Sequence, residues 1–426
     1  MQDPCNGDVA LGEGREAPQL VGATDDDAGG GGVAALQILH SIEAKATIAG
    51  PSAPQIIVGT GVAPLRRHTP ARPTPVRGSD MRIAQIAPLY ETVPPHLYGG
   101  TERIVSYVTE GLVRRGHEVT LFASGDSATT ARLVAGCSRA LRLDHAVVDP
   151  LAHHIAQLRH VLDRAHEFDV IHNHMDYLAF PLTVSSSTPV VTTLHGRLDL
   201  PDLPAVFAAY PEACVISISD AQRRPLSRAK WIATVPHGLP SRLYPPGRGD
   251  GGYLAFLGRI SPEKRVDAAI TVARAAGLPL RIAAKVDRVD ADYFARTIRP
   301  LLGPDVEFLG EIGGADKARF LGAARALLFP IDWPEPFGLV MIEALACGTP
   351  VIARRRGSVP EVLDDGVTGF ICDDEAGMVA AVGRLDAVDR AACRRVFERR
   401  FSDERMVGQY ERIFSVVVED AAACCA

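Results

Sequence analysis

From Met81 onward the apolar positions follow two alternating rhythms, short unbroken runs and longer stretches with a three-to-four-residue spacing. The run Arg82–Ala87 predicts a strand buried on both faces. Thr101–Arg115 predicts a helix, with Ile104, Val108 and Leu112 on one face and Gly116 as its stop. Glu118–Ala123 predicts the next strand, so the fold opens strand, loop, helix, strand. Further strands are expected at Val170–His172, Val190–Leu194, Val215–Ser217 and Trp231–Val235. A Pro/Gly-rich joint follows at Pro245–Gly252, then a second series at Tyr253–Leu257, Leu280–Ala284, Val306–Leu309, Ala326–Phe329 and Val351–Ala353. The simplest architecture is α/β: two consecutive Rossmann-like parallel-sheet domains, 81–247 and 248–402, facing across a cleft. Asp403–Val417 predicts a terminal helix within a closing segment, 403–426.

Residues 1–80 break this rhythm. They hold an acidic patch at Asp25–Asp27, glycines from Gly29 to Gly32 and a Pro/Arg-rich run from Pro64 to Pro75. Val33–Ile42 has the makings of a short helix with little to pack against. The beginning lacks the basic head and apolar centre of a signal peptide, and its aspartates disfavour a transit peptide. The expectation is a disordered extension, from a reading frame that begins upstream of a true start at Met81.

Composition narrows the class. At 426 residues the chain exceeds one ordinary core. Its 47% hydrophobic and 23% charged residues are ordinary values for a soluble globular protein. A net charge of −6 argues against general nucleic-acid binding. No apolar run approaches the roughly 20 residues that cross a bilayer, which leaves at most peripheral membrane contact. The 8 cysteines are scattered without paired metal-ligand spacing, so a reduced, cytoplasmic setting is expected. Cys424-Cys425 lacks the prenylation pattern.

The chemistry concentrates in the stretch from Glu335 to Ala353, E-P-F-G-L-V-M-I-E-A-L-A-C-G-T-P-V-I-A. Pro336 and Gly338 punctuate its start. Leu339, Ile342, Leu345 and Ala346 fall at helical spacing, and Gly348 with Pro350 ends the helix. Glu335 then precedes the helix and Glu343 projects from its flank, while free amides at Phe337, Gly338 and Leu339 face ligand oxygens. The bland alternative is an amphipathic helix with two solvated glutamates. This stretch resembles the signature of retaining glycosyltransferases of family 4, enzymes of the GT-B fold, whose paired glutamates are separated by seven residues. The resemblance extends over about Met81 to Val417.

Gly258-Arg259-Ile260-Ser261-Pro262-Glu263-Lys264 reads as a strand end, a Ser cap and a helix opening on Pro262. Arg259 and Lys264 would converge to neutralise a diphosphate, although solvated surface cations are the default. The motif is similar to the family's G-R-x-x-P-E-K, but Arg265 stands where the family often has glycine, so the helix is expected to continue unbroken there. Tyr98-Gly99-Gly100-Thr101 lets backbone approach a ligand at a helix start, and without G-x-G-x-x-G it is no dinucleotide fingerprint. The resemblance implies that Gly99, Gly100 and Thr101 face the donor diphosphate and the acceptor.

His172-Asn173-His174 follows a strand, as does Thr192-Thr193-Leu194-His195-Gly196. His172 and His174 could supply two ligands of a metal site, but the resemblance implies a cleft-lining strand end without an obligate metal. It also implies that His195 contacts the donor sugar near the reaction centre, a packed core histidine being the alternative. His237-Gly238 resembles the family's turn into the interdomain linker. Gly357-Ser358-Val359-Pro360-Glu361 resembles its G-G-x-P-E turn, with Ser358 replacing the second glycine, and Gly366–Phe370 reads as a turn into another strand. Gly310-Glu311-Ile312 stands where related enzymes often contact the nucleoside base, and Trp333-Pro334 could wall a pocket. The cluster Arg223–Trp231 reads first as a solvated face, with an anionic acceptor or a membrane surface as the alternative, and Arg354–Arg356, near the expected donor cleft, reads equally as a phosphate contact or an exposed surface.

The expectation is therefore a hexosyltransferase using a nucleotide-diphosphate sugar, with retention by front-face substitution. Arg259, Lys264, Glu335 and His195 would be catalytic; Gly99, Gly100, Thr101, Gly258, Glu311, Phe337, Gly338, Leu339 and Glu343 would bind donor. No cofactor and no obligate metal are expected, and the acceptor would be a carbohydrate, lipid-linked or small molecule. A sugar-nucleotide epimerase or glucan phosphorylase-like enzyme is the nearest competitor, and a non-catalytic sugar-nucleotide binding module the next. No carboxylate pair is placed like a glycosidase's acid and nucleophile.

Overall fold

The computed structural model describes residues 80–425. The expected extension lies outside the described residues, apart from Asp80. Among the described residues thirteen strands form two sheets, every pairing between them parallel. The first holds β1 (Arg82–Ile86), β2 (Glu118–Ser124), β3 (Arg132–Cys137), β4 (Val170–Asn173), β5 (Val190–Thr193), β6 (Cys214–Ser217) and β7 (Trp231–Thr234), in the order β3-β2-β1-β4-β5-β6-β7. The second holds β8 (Leu254–Ile260), β9 (Leu280–Val286), β10 (Val306–Gly310), β11 (Ala326–Phe329), β12 (Val351–Arg354) and β13 (Gly369–Cys372), in the order β10-β9-β8-β11-β12-β13. Central strands are buried on both faces, as in β11 and β12, which is why their sequences run apolar rather than alternating. Strand order reverses between β1 and β4 and again between β8 and β11. Parallel α/β sheets place ligands beyond the carboxyl ends of the strands at such reversals.

Six helices matter for the site: α1 (Gly100–Arg114), α2 (Pro150–Arg164), α3 (Val266–Ala275), α4 (Gly314–Ala323), α5 (Leu339–Ala346) and α6 (Asp403–Cys425). α6 returns to the first sheet. Tyr410 and Phe414 are fully buried against His172, and Thr193 Oγ1 donates to the Tyr410 hydroxyl at 3.1 Å. Gly111 of α1 lets Val407 in: a Cβ there would lie 2.4 Å from Val407 Cγ2. The chain passes between the sheets twice, and the two passages run side by side. Leu239 N donates to Phe401 O at 2.9 Å, and Asp403 N donates to Leu239 O at 3.1 Å.

Three local findings differ from expectation. β3 and α2 carry no prediction: β3 is a half-exposed edge, and the buried His154 and Gln157 interrupt the apolar face of α2. β8 runs on to Ile260, so Gly258 and Arg259 lie within the strand instead of after it. The helix predicted to run unbroken from Pro262 is interrupted. Pro262–Lys264 is a single 3₁₀ turn, Ser261 makes no side-chain cap, and Arg265 adopts φ +54° before α3 begins at Val266. A left-handed arginine costs about 1–2 kcal/mol, and its ion pairs with Asp267 (3.1 Å) and Glu375 (2.9 Å) help to hold it. The break leaves Lys264 on a turn aimed at Glu335 instead of on the flank of a continuous helix.

Candidate active site

On the second sheet the site grows from the β8 and β11 ends. Lys264 Nζ lies 2.5 Å from Glu335 Oε2, and the Trp333 indole N–H donates to the same oxygen at 2.9 Å. The Trp333 ring also covers the ammonium, centroid 4.7 Å away. Gly357 (φ +50°) packs on the Glu335 backbone so closely that a Cβ would lie 2.3 Å from Glu335 O. Ser358 N donates to that carbonyl at 3.0 Å, so the Gly357-Ser358 turn fixes Glu335 from behind. Arg259 pairs with Glu263 at 2.5 Å, has Asp287 within 3.8 Å, and keeps its buried Nε without an acceptor. Both cations are thus already paired with acids.

Gly338 takes φ +78° as the residue before α5. Phe337 is buried between the His237 ring (5.0 Å) and the Phe401 ring (6.0 Å) and forms an apolar wall. The backbone N–H groups of Gly338 and Leu339 find no acceptor among the described residues. Glu343 is buried in α5 and paired with Lys317 and Tyr244, each at 2.8 Å. Burial alone would push its carboxyl up, but the Lys317 ammonium, with Arg103 and Tyr244, holds it below the usual carboxylate range.

The first sheet supplies the facing wall. Gly99 takes φ +138°, and a Cβ on Gly100 would lie 3.3 Å from Leu339 Cδ1, so the glycine loop meets the start of α5. Thr101 is half-buried in the first turn of α1. Tyr98 N donates to Glu311 Oε1 at 2.7 Å, so Glu311 reaches back to the glycine loop. Gly258 needs no glycine for packing, since a Cβ would meet only the Phe256 ring at 3.9 Å. His195 Nε2 lies 2.9 Å from His174 Nδ1, and its ring stacks on His237 at 5.2 Å. Burial lowers His195 to about 3 and holds His172, His174 and His237 well below the usual imidazole range. All four are therefore neutral at pH 7, and His195 is a hydrogen-bonding imidazole, not a cation.

The Tyr98–Glu311, Gly100–Leu339 and His195–His237–Phe337 contacts bring the glycine loop, Glu311, His195 and the start of α5 together, whereas among the described residues the structure records no contact of Thr101 or Gly258 with the other predicted residues. His172 is spent on Thr193 Oγ1 at 2.8 Å, and among the described residues no cluster of His, Cys, Asp or Glu is arranged to hold a metal ion. Arg354 and Arg356 pair with Asp332 at 3.1 and 3.2 Å. Sequence reasoning missed Asp176, Arg103, Tyr107, Tyr244, Lys317 and Glu102. Asp176 (φ +46°) accepts from His195 N at 2.9 Å. A tyrosine in the joint before Pro245 was the one available signal for Tyr244; Lys317 had none.

Glu102 lies in the first turn of α1, close behind Gly99, near Glu91, Arg142 and Arg103. Burial pushes its carboxyl up to about 7 from an ordinary 4.5. Between those values the folded chain keeps a proton that the unfolded chain has shed, so stability falls as pH rises across that window. Glu102→Gln is expected to remove this loss and gain about 2–3 kcal/mol on wild type above pH 7, with no gain below pH 4.5. Urea unfolding at pH 4.5, 6 and 8 checks it; a constant difference would contradict it.

The glycine loop, Arg259 and Lys264 fall in a match to the family model for Glycosyltransferase Family 4 over residues 98–276. Both glutamates fall in a match to the model for Glycosyl transferases group 1 over residues 246–388. The chain belongs to glycosyltransferase family 4. The transferase is 28% identical to a phosphatidyl-myo-inositol mannosyltransferase of Mycolicibacterium smegmatis, over 71% of this chain and 84% of that one. Its fold matches sucrose-phosphate synthase from Thermosynechococcus elongatus (TM-score 0.66, 21% identity), covering 80% of the transferase and 100% of that chain. It likewise matches an Anabaena protein in complex with UDP and glucose (TM-score 0.63, 18% identity), covering 79% of the transferase and 100% of that chain. The two-sheet architecture is the GT-B fold. Among the described residues no helix of the transferase is long and apolar enough to cross a membrane.

Proposed function

We propose that the transferase moves a hexosyl group from a nucleotide-diphosphate sugar to a carbohydrate, lipid-linked or small-molecule acceptor, with retention. The supporting observation is the Lys264–Glu335 pair at the strand reversal, with Gly100 of the glycine loop packed on Leu339 of the segment that follows Glu335. An incoming diphosphate takes Lys264, which frees Glu335 to accept from sugar hydroxyls. Arg259 turns from Glu263 to the same diphosphate, and the Gly338 and Leu339 amides add donors where negative charge grows on the leaving group. Glu343 accepts from the ribose, and Glu311 lies at the base. His195 lines the sugar beside the anomeric carbon. In a front-face substitution the departing phosphate takes the acceptor's proton, so no general base is needed on the protein. These roles call for no cofactor and no obligate metal, since the cations supply the neutralisation. The mannosyltransferase likeness and the fold relative complexed with UDP and glucose support this reading.

A ligand that binds only the folded state at 100 times its Kd stabilises it by about 2.7 kcal/mol. A thermal-shift panel of UDP-, GDP- and ADP-sugars is therefore expected to pick out one nucleotide by a rise of several degrees. A flat response to all three would sink the assignment.

A further inference from the structure

The two oxygens of Glu343 are treated differently. Oε1 accepts from the Tyr244 hydroxyl and from the Lys317 ammonium, each at 2.8 Å. Oε2 receives no donor among the described residues and is not sealed from solvent. Lys317 comes from α4, whereas Tyr244, 4% exposed, comes from the segment joining the two sheets. Beyond Tyr244, Tyr107 of α1 lies beside both that hydroxyl and Arg103. Arg103 in turn donates to Leu97 O at 2.6 Å, in the loop leading to Gly99-Gly100. Chemistry fixes the direction of this chain. A guanidinium only donates and an ionised carboxylate only accepts, so the Tyr244 hydroxyl points its proton at Glu343.

We propose that Tyr244 and Lys317 are positioning residues that clamp Glu343 Oε1 and so reserve Oε2 for a ribose hydroxyl, with Tyr244 tying that site to the glycine loop of the facing lobe. The inference rests on the nucleotide-sugar reading above. Two donors on one oxygen stop the carboxylate from rotating, so Oε2 keeps its aim before ligand arrives. A nucleotide lacking the matching hydroxyl leaves Oε2 unpaired and pays for it. Tyr244→Phe keeps the ring and its packing but releases one side of the clamp. Glu343 then relaxes toward Lys317, and the missing hydroxyl is felt less.

Calorimetric titration of the full chain with UDP, GDP and ADP finds the tightest binder; its 2′-deoxy and 3′-deoxy forms are then titrated. Wild type is expected to lose about tenfold in affinity when the hydroxyl held by Glu343 is removed. For Tyr244→Phe the loss is expected to shrink to about threefold or less. A Tyr244→Phe chain that weakens for all forms by one factor makes the tyrosine a strut and overturns the proposal, as does wild-type behaviour. If that variant does not fold, Lys317→Gln carries the same comparison, and an unchanged ratio there overturns the clamp. A wild type that binds none of the three nucleotides overturns the nucleotide-sugar reading as well, whereas tight binding with an unchanged ratio overturns the clamp alone.

Discussion

Lys264→Ala is expected to lower turnover about 10²- to 10³-fold, the usual loss when a donor to developing negative charge is removed. Stability should fall too, because the Lys264 and Glu335 side chains are only 17% and 11% exposed. Without the ammonium, Glu335 keeps the Trp333 indole as its one side-chain donor. A carboxylate left partly unpaired at that depth costs the fold about 2–3 kcal/mol. The two effects separate in the double variant Lys264→Met/Glu335→Gln, which removes both charges together. It is expected to regain most of the stability and none of the turnover. Nucleoside diphosphate release per folded molecule, with the donor that gives the largest thermal shift, is the measurement. Full turnover by folded Lys264→Ala would remove this lysine from the reaction.

Gly357→Ala should produce the largest stability loss of any single methyl added at the site. Gly357 sits at φ +50°, where an L side chain costs about 1–2 kcal/mol. Its new Cβ would also lie 2.3 Å from Glu335 O and 2.4 Å from Glu335 N, and backbone cannot step aside as a side-chain tip can. Overpacking of this kind adds about 1–3 kcal/mol, for a total of about 3 kcal/mol. Glu335 must shift to relieve the clash, so donor binding should weaken in the same variant. Gly366→Ala is the control. Gly366 has φ +74° but nothing within 4 Å of an added Cβ, so it carries only the backbone cost and leaves donor binding intact. Equal losses in the two variants, by urea unfolding, would show that crowding on Glu335 is not what Gly357 avoids.

The elements most legible in the sequence were those buried on both sides. β11 was placed to the residue, because all four residues of Ala326–Phe329 are apolar and buried. α5 was bounded correctly by Gly338 and Gly348, each at a positive φ that few other residues adopt. β3 escaped because an edge strand need not be continuously apolar. α2 escaped because the buried His154 and Gln157 sit among its apolar contacts. Arg265 shows the opposite failure: the position calls for glycine, yet arginine occupies it in the left-handed conformation.

Composition, periodicity and turn residues determined that this chain builds two parallel sheets, with Lys264 and Glu335 in the segments that follow their strands and the glycine loop at the start of a helix. Such signals are local: they depend on which residues a strand or helix tolerates within a few positions. Only the tertiary structure decided that Lys264 faces Glu335, 71 residues away along the chain. It also brought Tyr244 and Lys317 onto Glu343, 99 and 26 residues away along the chain. Lys264 meets Glu335 because β8 and β11 lie side by side at the strand-order reversal, and Tyr244 reaches Glu343 from the segment joining the sheets; no short window of sequence contains either adjacency.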